Sequence, residues 1–407
     1  MSSSIPRRLF GMRIMGAACA AALSTSVWAQ DTIKIGEINS YKAQPVFLDA
    51  YKLGMQLALE ETNAAGGVNG KKFELIIRDD NANPGEAVKQ AQELLSRERV
   101  DLLTGSFLSH VGLALADFAN QKKVFFLASE ALTDKITWGN GNPYTYRLRT
   151  STYMLVASLV PEALKLNKKR WALVYPNYEY GQSAVDTFKK LMKEQQPDIE
   201  FVLEQAPPLG KVDAGSLVQA VNDAKPDAIF NALFGPDLAK LVRESSTRGA
   251  FKETPVVSVL SGEPEYLEPL RDEAPEGWIV TGYPWYSIDT PEHNAFVKAY
   301  QARFGNIPLR LGSVIGYTNI KALVEGVKRA GGKTDTESMI KAFSGLQVQT
   351  PDGLLTFRSL DHQATLGTYV GKIALQDGKG VMVDYYYVPG EKLLPTDAQV
   401  RALRSAK

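Results

Sequence analysis

Three histidines, His110, His293 and His362, are all the imidazole this chain has for metal or general-base chemistry. No two stand at His-x-x-x-His spacing and none belongs to a His-Glu-x-x-His pair, so the arrangement that holds a catalytic zinc is missing. Asp79, Asn81 and Asn83 imitate the first three ligands of a calcium loop. The sixth position, however, falls on Pro84 where glycine must turn the chain, and the twelfth on Gln90 where a bidentate glutamate is needed. The nearest approach to a nucleophile elbow, Gly181-Gln182-Ser183-Ala184-Val185, lacks the closing glycine and reads as the start of a helix. Gly66-Gly67-Val68-Asn69-Gly70-Lys71-Lys72 has neither the spacing nor the hydroxyl residue of a phosphate loop, and it ends a helix where such a loop begins one. No Gly-x-Gly-x-x-Gly follows a strand. No catalytic residue, metal ligand or cofactor site is assigned, and binding without turnover is the expectation.

The elements around these residues say more. At 407 residues, with 44% hydrophobic and 22% charged, the chain is long enough for two domains. Its 46 Lys+Arg against 45 Asp+Glu argue against nucleic acid or an acidic membrane as the main partner, since both select clustered basic excess. Arg7, Arg8 and Arg13, the apolar stretch 14–23 and Val27-Trp28-Ala29 form a cleavable secretory signal over residues 1–29, with cleavage expected after Ala29. Its apolar body is about half the ~20 residues a spanning helix needs. Arg7-Arg8-Leu9-Phe10 also fits a twin-arginine signal, but an ordinary charged head accounts for it. Cys19 as a lipid anchor would need leucine where Gly16 stands. It is the only cysteine, so removal of the signal excludes disulfides and Cys-ligated zinc.

Short apolar runs at 33–38, 73–77, 102–104, 124–127, 171–175, 201–203, 228–230, 256–260 and 278–280 predict strands. Helical spacing at 49–64, 182–195, 214–224, 236–248 and 291–303 separates many of them. Gly66-Gly67 stops the first helix and Asn83-Pro84 caps another. Such alternation implies right-handed crossovers and doubly wound parallel sheets, and about ten strands imply two α/β lobes. The tail departs from this: 354–357, 368–375 and 381–388 read as strands, with Asp377-Gly378 as a hairpin turn. Binding in such sheets belongs at the carboxyl ends of strands and in the crevice between lobes.

The strand Ile33-Lys34-Ile35-Gly36, the 66–72 stretch and Arg78-Asp79-Asp80 resemble periplasmic leucine/isoleucine/valine-binding proteins, the type I solute-binding components of ABC importers. The resemblance continues through Gly105-Ser106-Phe107-Leu108-Ser109, Tyr178-Glu179-Tyr180-Gly181 and Glu276-Gly277-Trp278, and so spans nearly all of the chain beyond the signal. It implies two lobes that close on a ligand about three crossover strands, near 149–153, 282–284 and 367–370. The first lobe is then 31–152 plus 284–367, and the second 153–283 plus 368–407. The family's carboxylate-binding serine falls on Ser109, where a hydroxyl and free N–H groups at a helix start take an anion without lysine or arginine; as a bare N-cap it would do no more than start the helix. His110 is either a donor to the ligand or a rim residue. Ser129, Glu130 and Ala131 occupy the family's second backbone clamp, and Tyr180 matches a tyrosine that closes over the ligand. Phe234 and Phe47 fall where the family has aromatics, as core or mouth residues. The aromatics of Tyr283-Pro284-Trp285-Tyr286 line the crevice or pack the hinge.

One departure bears on the ligand. Amino-acid binders of this family hold the ammonium with an acid on the second lobe, and here Ser261 stands in its place, with Glu263 two residues on and Glu130 on the first lobe. The resemblance therefore implies a periplasmic substrate-binding component of a branched-chain-amino-acid-type ABC transporter, a monomer that captures a small carboxylate-bearing solute and hands it to a membrane permease. The alternatives are a binder of aromatic or aliphatic carboxylates or amides, and a ligand-sensing receptor domain.

Overall fold

The computed structural model describes residues 1–4 and 32–405; Cys19 and most of the expected signal over 1–29 lie outside the described residues. Strand β1 (Ile33–Asn39) is buried along almost its whole length, as a strand covered on both faces must be. It pairs in parallel with β2 (Phe73–Asp79) and β3 (Leu102–Gly105), and β4 (Phe126–Ala128) and β5 (Thr145–Arg147) extend a five-stranded sheet in the order β2-β1-β3-β4-β5. A second sheet takes β6 (Arg170–Val174), β7 (Glu200–Gln205), β8 (Ala228–Asn231), β9 (Val256–Gly262) and β10 (Ile279–Gly282), all parallel. After the separate hairpin β11 (Gln347–Thr350) and β12 (Gly353–Thr356), strands β13 (Thr368–Gln376) and β14 (Lys379–Val388) add antiparallel to β10. The order is β14-β13-β10-β9-β8-β6-β7. Two doubly wound lobes result, and Asp377 and Gly378, both at positive φ, make the hairpin turn.

The expected strands and helices lie within a few residues of their predicted places. Asn83 caps its helix by accepting the Glu86 N–H at 3.0 Å. Several elements escape the sequence patterns, and two of them show why. Strand β5 is three residues long and carries Arg147, so no apolar run marks it. The helix Leu311–Arg329 is buried around most of its circumference, which leaves no amphipathic stripe to read. It packs on the helix Pro45–Ala64 with backbones nearly touching: a Cβ on Gly316 would stand 2.0 Å from the Tyr51 carbonyl oxygen. Asn319 joins this layer to the first sheet, donating to Tyr51 and accepting from the Thr104 hydroxyl at 2.9 Å each.

The chain passes between the sheets after β5, after β10 and before β13. Its end is a difference from expectation. Arg404 donates to the Leu360 carbonyl at 3.0 Å and Arg358 to the Pro395 carbonyl at 3.1 Å. The tail from Pro395 thus packs against the segment 358–361 and not with the second sheet, where the 368–407 boundary put it. The lobes meet on both flanks of the crevice. Glu179 accepts from Thr133 at 2.7 Å and from Lys135 at 2.9 Å on one side. On the other, Glu268 pairs with Arg310 and Glu265 accepts the Gly312 N–H at 2.7 Å. Among the described residues no helix is long and apolar enough to cross a membrane.

Candidate ligand-binding cleft

Strand β3 ends at Gly105, which lies at φ +130° with the site of a Cβ only 2.1 Å from the Ile38 carbonyl oxygen, so only glycine lets the chain turn here. The turn places Leu108 as N-cap and Ser109 as the first residue of the helix Ser109–Lys122. Ser109 is therefore not a bare N-cap. Its Oγ accepts the Thr133 N–H at 3.2 Å, which leaves its own hydrogen to donate. The N–H groups of Ser109, His110 and Val111 have no acceptor within the helix and add partial positive charge at the same place.

Ser109 opens on a narrow interlobe cavity, closed down to about 10 Å³. Phe107, Glu130 and Leu132 line it from the first lobe, Arg149 from the crossing segment, and Tyr178, Tyr180, Phe234 and Leu260 from the second lobe. The aromatic rings form a continuous wall: Phe107 to Phe234 is 6.2 Å between centroids, Tyr180 to Phe234 5.6 Å and Tyr178 to Tyr180 5.9 Å.

Arg149 is the charge at the centre. It is buried and donates to Glu130 Oε2 at 2.9 Å and to Glu263 Oε1 at 2.5 Å, joining a carboxylate from each lobe. Its guanidinium also lies 4.9 Å from the centroid of the Phe47 ring. The other oxygens of both glutamates, Glu130 Oε1 and Glu263 Oε2, are buried without a partner, and so is the Tyr180 hydroxyl. Burial pushes Glu130 and Glu263 each up to about 8 against the opposing pull of Arg149, and Glu265 beside them is raised by burial too. Toward the cavity the polar groups are mostly donors: the Ser109 and Tyr180 hydroxyls and Arg149, against the single acceptor Glu130. Such a set offers donors to an anion among aromatic rings, with Arg149 shared between the cavity and its two glutamates.

The sequence-derived candidates divide. Ser109, Glu130, Tyr180 and Phe234 come together around the cavity. Phe47 stands one ring behind it, 5.1 Å from Phe107. Glu263 reaches the site through Arg149. His110 sits at the flank, edge-on to Tyr178 at 5.5 Å, its pKa lowered by burial. Three others face elsewhere. Ser129 accepts from the Tyr51 hydroxyl at 2.9 Å and spends its N–H on the Gly105 carbonyl at 3.0 Å. Ala131 is buried against Gly112 of the helix Ser109–Lys122. Ser261 shares a 2.5 Å hydrogen bond with Ser258 inside the second lobe. Of the second-crossing aromatics, Tyr283 is tied to His293 at 2.6 Å, while Trp285 and Tyr286 line a separate cavity of about 770 Å³ with Pro308. Sequence reasoning missed Arg149, Tyr178, Leu132 and Leu260, and it looked for an anion site without arginine. The available signal was Arg147-Leu148-Arg149, two arginines on a crossing segment that must pass through the interior. Among the described residues no group of three or more His, Cys, Asp or Glu side chains could hold a metal ion.

A family model described as periplasmic binding protein matches residues 32–379. The Leu/Ile/Val-binding protein homolog 7 of Brucella suis biovar 1 (strain 1330) is 26% identical over 346 residues, covering 81% of this chain and 85% of its own. A solute-binding protein of an ABC transporter from Rhodopseudomonas palustris BisB5, solved with 3,4-dihydroxybenzoic acid, superposes with a TM-score of 0.78 at 26% identity, covering 88% of this chain and 98% of its own. Another from R. palustris, solved with 4-hydroxybenzoate, gives 0.77 at 25% identity over 88% of this chain and 97% of its own.

Proposed function

The chain belongs to the periplasmic binding protein family, with the two-lobed type I fold, and from that premise we propose that it is the exported substrate-binding component of an ABC importer whose solute is an aromatic carboxylate. In this reading it acts in the periplasm after loss of residues 1–29, as a monomer without turnover, and delivers its solute to a membrane permease. The lobes are 31–152 plus 284–367 and 153–283 plus 368–394, with the tail from Pro395 docked on the first.

The observation that carries the reading is the makeup of the cleft: donors at Ser109, Arg149 and Tyr180 for a carboxylate, and the rings of Phe107, Tyr178, Tyr180 and Phe234 for a planar body. Glu130 Oε1, still unpartnered, accepts from a hydroxyl on that body. The lobes leave only about 10 Å³ of free room in the cleft, too little for a ring, so the solute enters as the hinge opens. Hinge closure brings both sets of contacts together. The benzoate-type ligands of the two R. palustris relatives support the same class. A second reading, an amino acid, is favoured by the free oxygens of Glu130 and Glu263, which an ammonium could bridge.

Thermal unfolding of ligand-stripped protein separates the two. Hydroxybenzoates at 100 times their dissociation constant should stabilise by about 2.7 kcal/mol, and leucine, isoleucine, valine and phenylalanine should not. Stabilisation by the amino acids alone would replace the aromatic carboxylate with the second reading. No shift with either set would remove the carboxylate assignment altogether.

A further inference from the structure

A second cavity, of about 340 Å³, lies at the hinge and shares no lining residue with the cleft. Its walls come from the first-lobe segment 287–292 that follows the second crossing, from the β11–β12 turn at 352–353, and from β13 and β14. Tyr369, Tyr385 and Tyr387 stand at angles to one another, with Tyr369 5.9 Å from Tyr385 at 75° and 5.0 Å from Tyr387 at 54°. Two of their hydroxyls are held by the protein: Tyr385 donates to the Ser287 carbonyl at 2.8 Å, and Tyr387 accepts the Gly367 N–H at 3.0 Å. What remains for an occupant is the ring faces, which carry negative quadrupole charge.

The charges that line this cavity have one sign, although Tyr369, Tyr387 and Asp352 face Arg149 across the adjoining cavity on their inner side. Asp289, Glu292 and Asp352 line the cavity, and among the described residues no lysine, arginine or histidine does. Asp352 Oδ1 is buried with no partner. Burial raises the Asp352 carboxyl to about 7, opposed by Tyr369, and Tyr283 and Tyr387 are the other titratable groups that feel its charge. The acids do not converge closely enough to ligate a metal ion. Spread acids, tyrosine faces and room for several heavy atoms together suit a different guest.

We propose that the hinge cavity is a second binding site, for a small organic cation of the ammonium class, held against the rings of Tyr369, Tyr385 and Tyr387 and balanced by Asp352, Asp289 and Glu292. The site is independent of how the cleft is read. Because its walls join first-lobe residues 287–292 and 352–353 to Tyr369 on the third crossing and to β14 of the second sheet, an occupant touches parts that move relative to one another, so cation binding biases closure.

The test titrates the purified full chain with tetramethylammonium chloride, against sodium chloride at equal ionic strength, by saturation-transfer NMR and thermal unfolding. Tetramethylammonium should bind saturably and raise the unfolding temperature where sodium does not. Tyr385→Leu and Asp352→Asn should each weaken it at least about tenfold, and Ser109→Ala should bind as the parent does. Glu292→Gln, at an exposed position, gives a smaller loss in the same direction and stands in if Asp352→Asn does not fold. Equal shifts with sodium, a calcium-specific shift in place of an ammonium one, or unchanged affinity in Tyr385→Leu and Glu292→Gln would each overturn the site.

Discussion

Arg147 and Arg149 stand two residues apart on one crossing segment, both buried, and the company they keep is opposite. Arg147 donates only to neutral acceptors: Gln363 at 2.5 Å, the Leu132 carbonyl at 3.1 Å, the Thr133 carbonyl, and the Thr137 hydroxyl at 3.1 Å. Burial lowers its pKa to about 10, with Asp134 and Asp361 opposing the fall from a distance. Arg149 donates to carboxylates, one from each lobe. The difference teaches what each arginine is for. Arg147 fixes the loop 132–137, whose Thr133 N–H in turn orients Ser109, and all its partners belong to the first-lobe side. Arg149 has a partner that arrives only when Glu263 does, so its interactions change as the lobes close.

The contrast is broken most forcefully at Arg147. Arg147→Met leaves the Gln363 amide oxygen and the Thr137 hydroxyl without their donor, while the Leu132 carbonyl keeps the Thr152 N–H and the Thr133 carbonyl keeps the Ile136 N–H. At about 1–3 kcal/mol per unpaired group, denaturant unfolding should show a loss of about 2 kcal/mol or more. A loss below about 1 kcal/mol would mean that water or rearrangement satisfies the loop and that Arg147 is no fastener. Arg149→Met leaves two buried carboxyls without their counter-charge, so its cost to folding, unlike that of Arg147→Met, should shrink as pH falls and Glu130 and Glu263 protonate. Its larger effect falls on the ligand. Loss of one charge-assisted donor costs about 1.5–3 kcal/mol, so carboxylate affinity measured by calorimetry should fall by about 10- to 100-fold. If Arg149→Met instead unfolds the protein and leaves affinity intact in what folds, the two arginines have exchanged roles.

Much of this architecture was legible because parallel strands buried on both faces read as plain apolar runs, and because Asn83-Pro84 and Asp377-Gly378 carry local turn chemistry that needs no tertiary partner. The cleft was legible in part. Ser109 follows a strand and a Gly105 turn, a position the physics of helix starts makes conspicuous, and Tyr180 and Phe234 open helices in the second lobe. Arg149 was not legible, since its meaning depends on Glu130 and Glu263, 19 and 114 residues away. Ser129 and Ser261 misled for the same reason. Each is a hydroxyl near a strand end, and only the packing shows that Tyr51 and Ser258 have already claimed it.

The smallest effect sharpens the comparison most. Two buried carboxylates share one guanidinium, with Glu265 close by, so the native protein holds Glu130 and Glu263 protonated at pH values where the unfolded chain does not. A carboxyl pKa raised on folding, from 4.5 to about 8, gives stability that is complete below about pH 4.5 and is lost as pH rises towards 8. The three histidines pull the other way, because burial lowers each of them and their contribution is lost as pH falls. The parent's pH profile is therefore a mixture, and the difference between parent and Glu263→Gln isolates the cleft. That difference should tilt with pH by up to about 1.4 kcal/mol per unit between pH 5 and 8, with the variant losing less stability as pH rises. Arg147 has no carboxylate in direct contact, so Arg147→Met combined with Glu263→Gln should show the same tilt as Glu263→Gln alone. Parallel profiles for parent and Glu263→Gln would mean that Arg149 keeps both glutamates ionised throughout. The cluster would then be a fixed ion-pair network, and the distinction between the two arginines would rest on ligand binding alone.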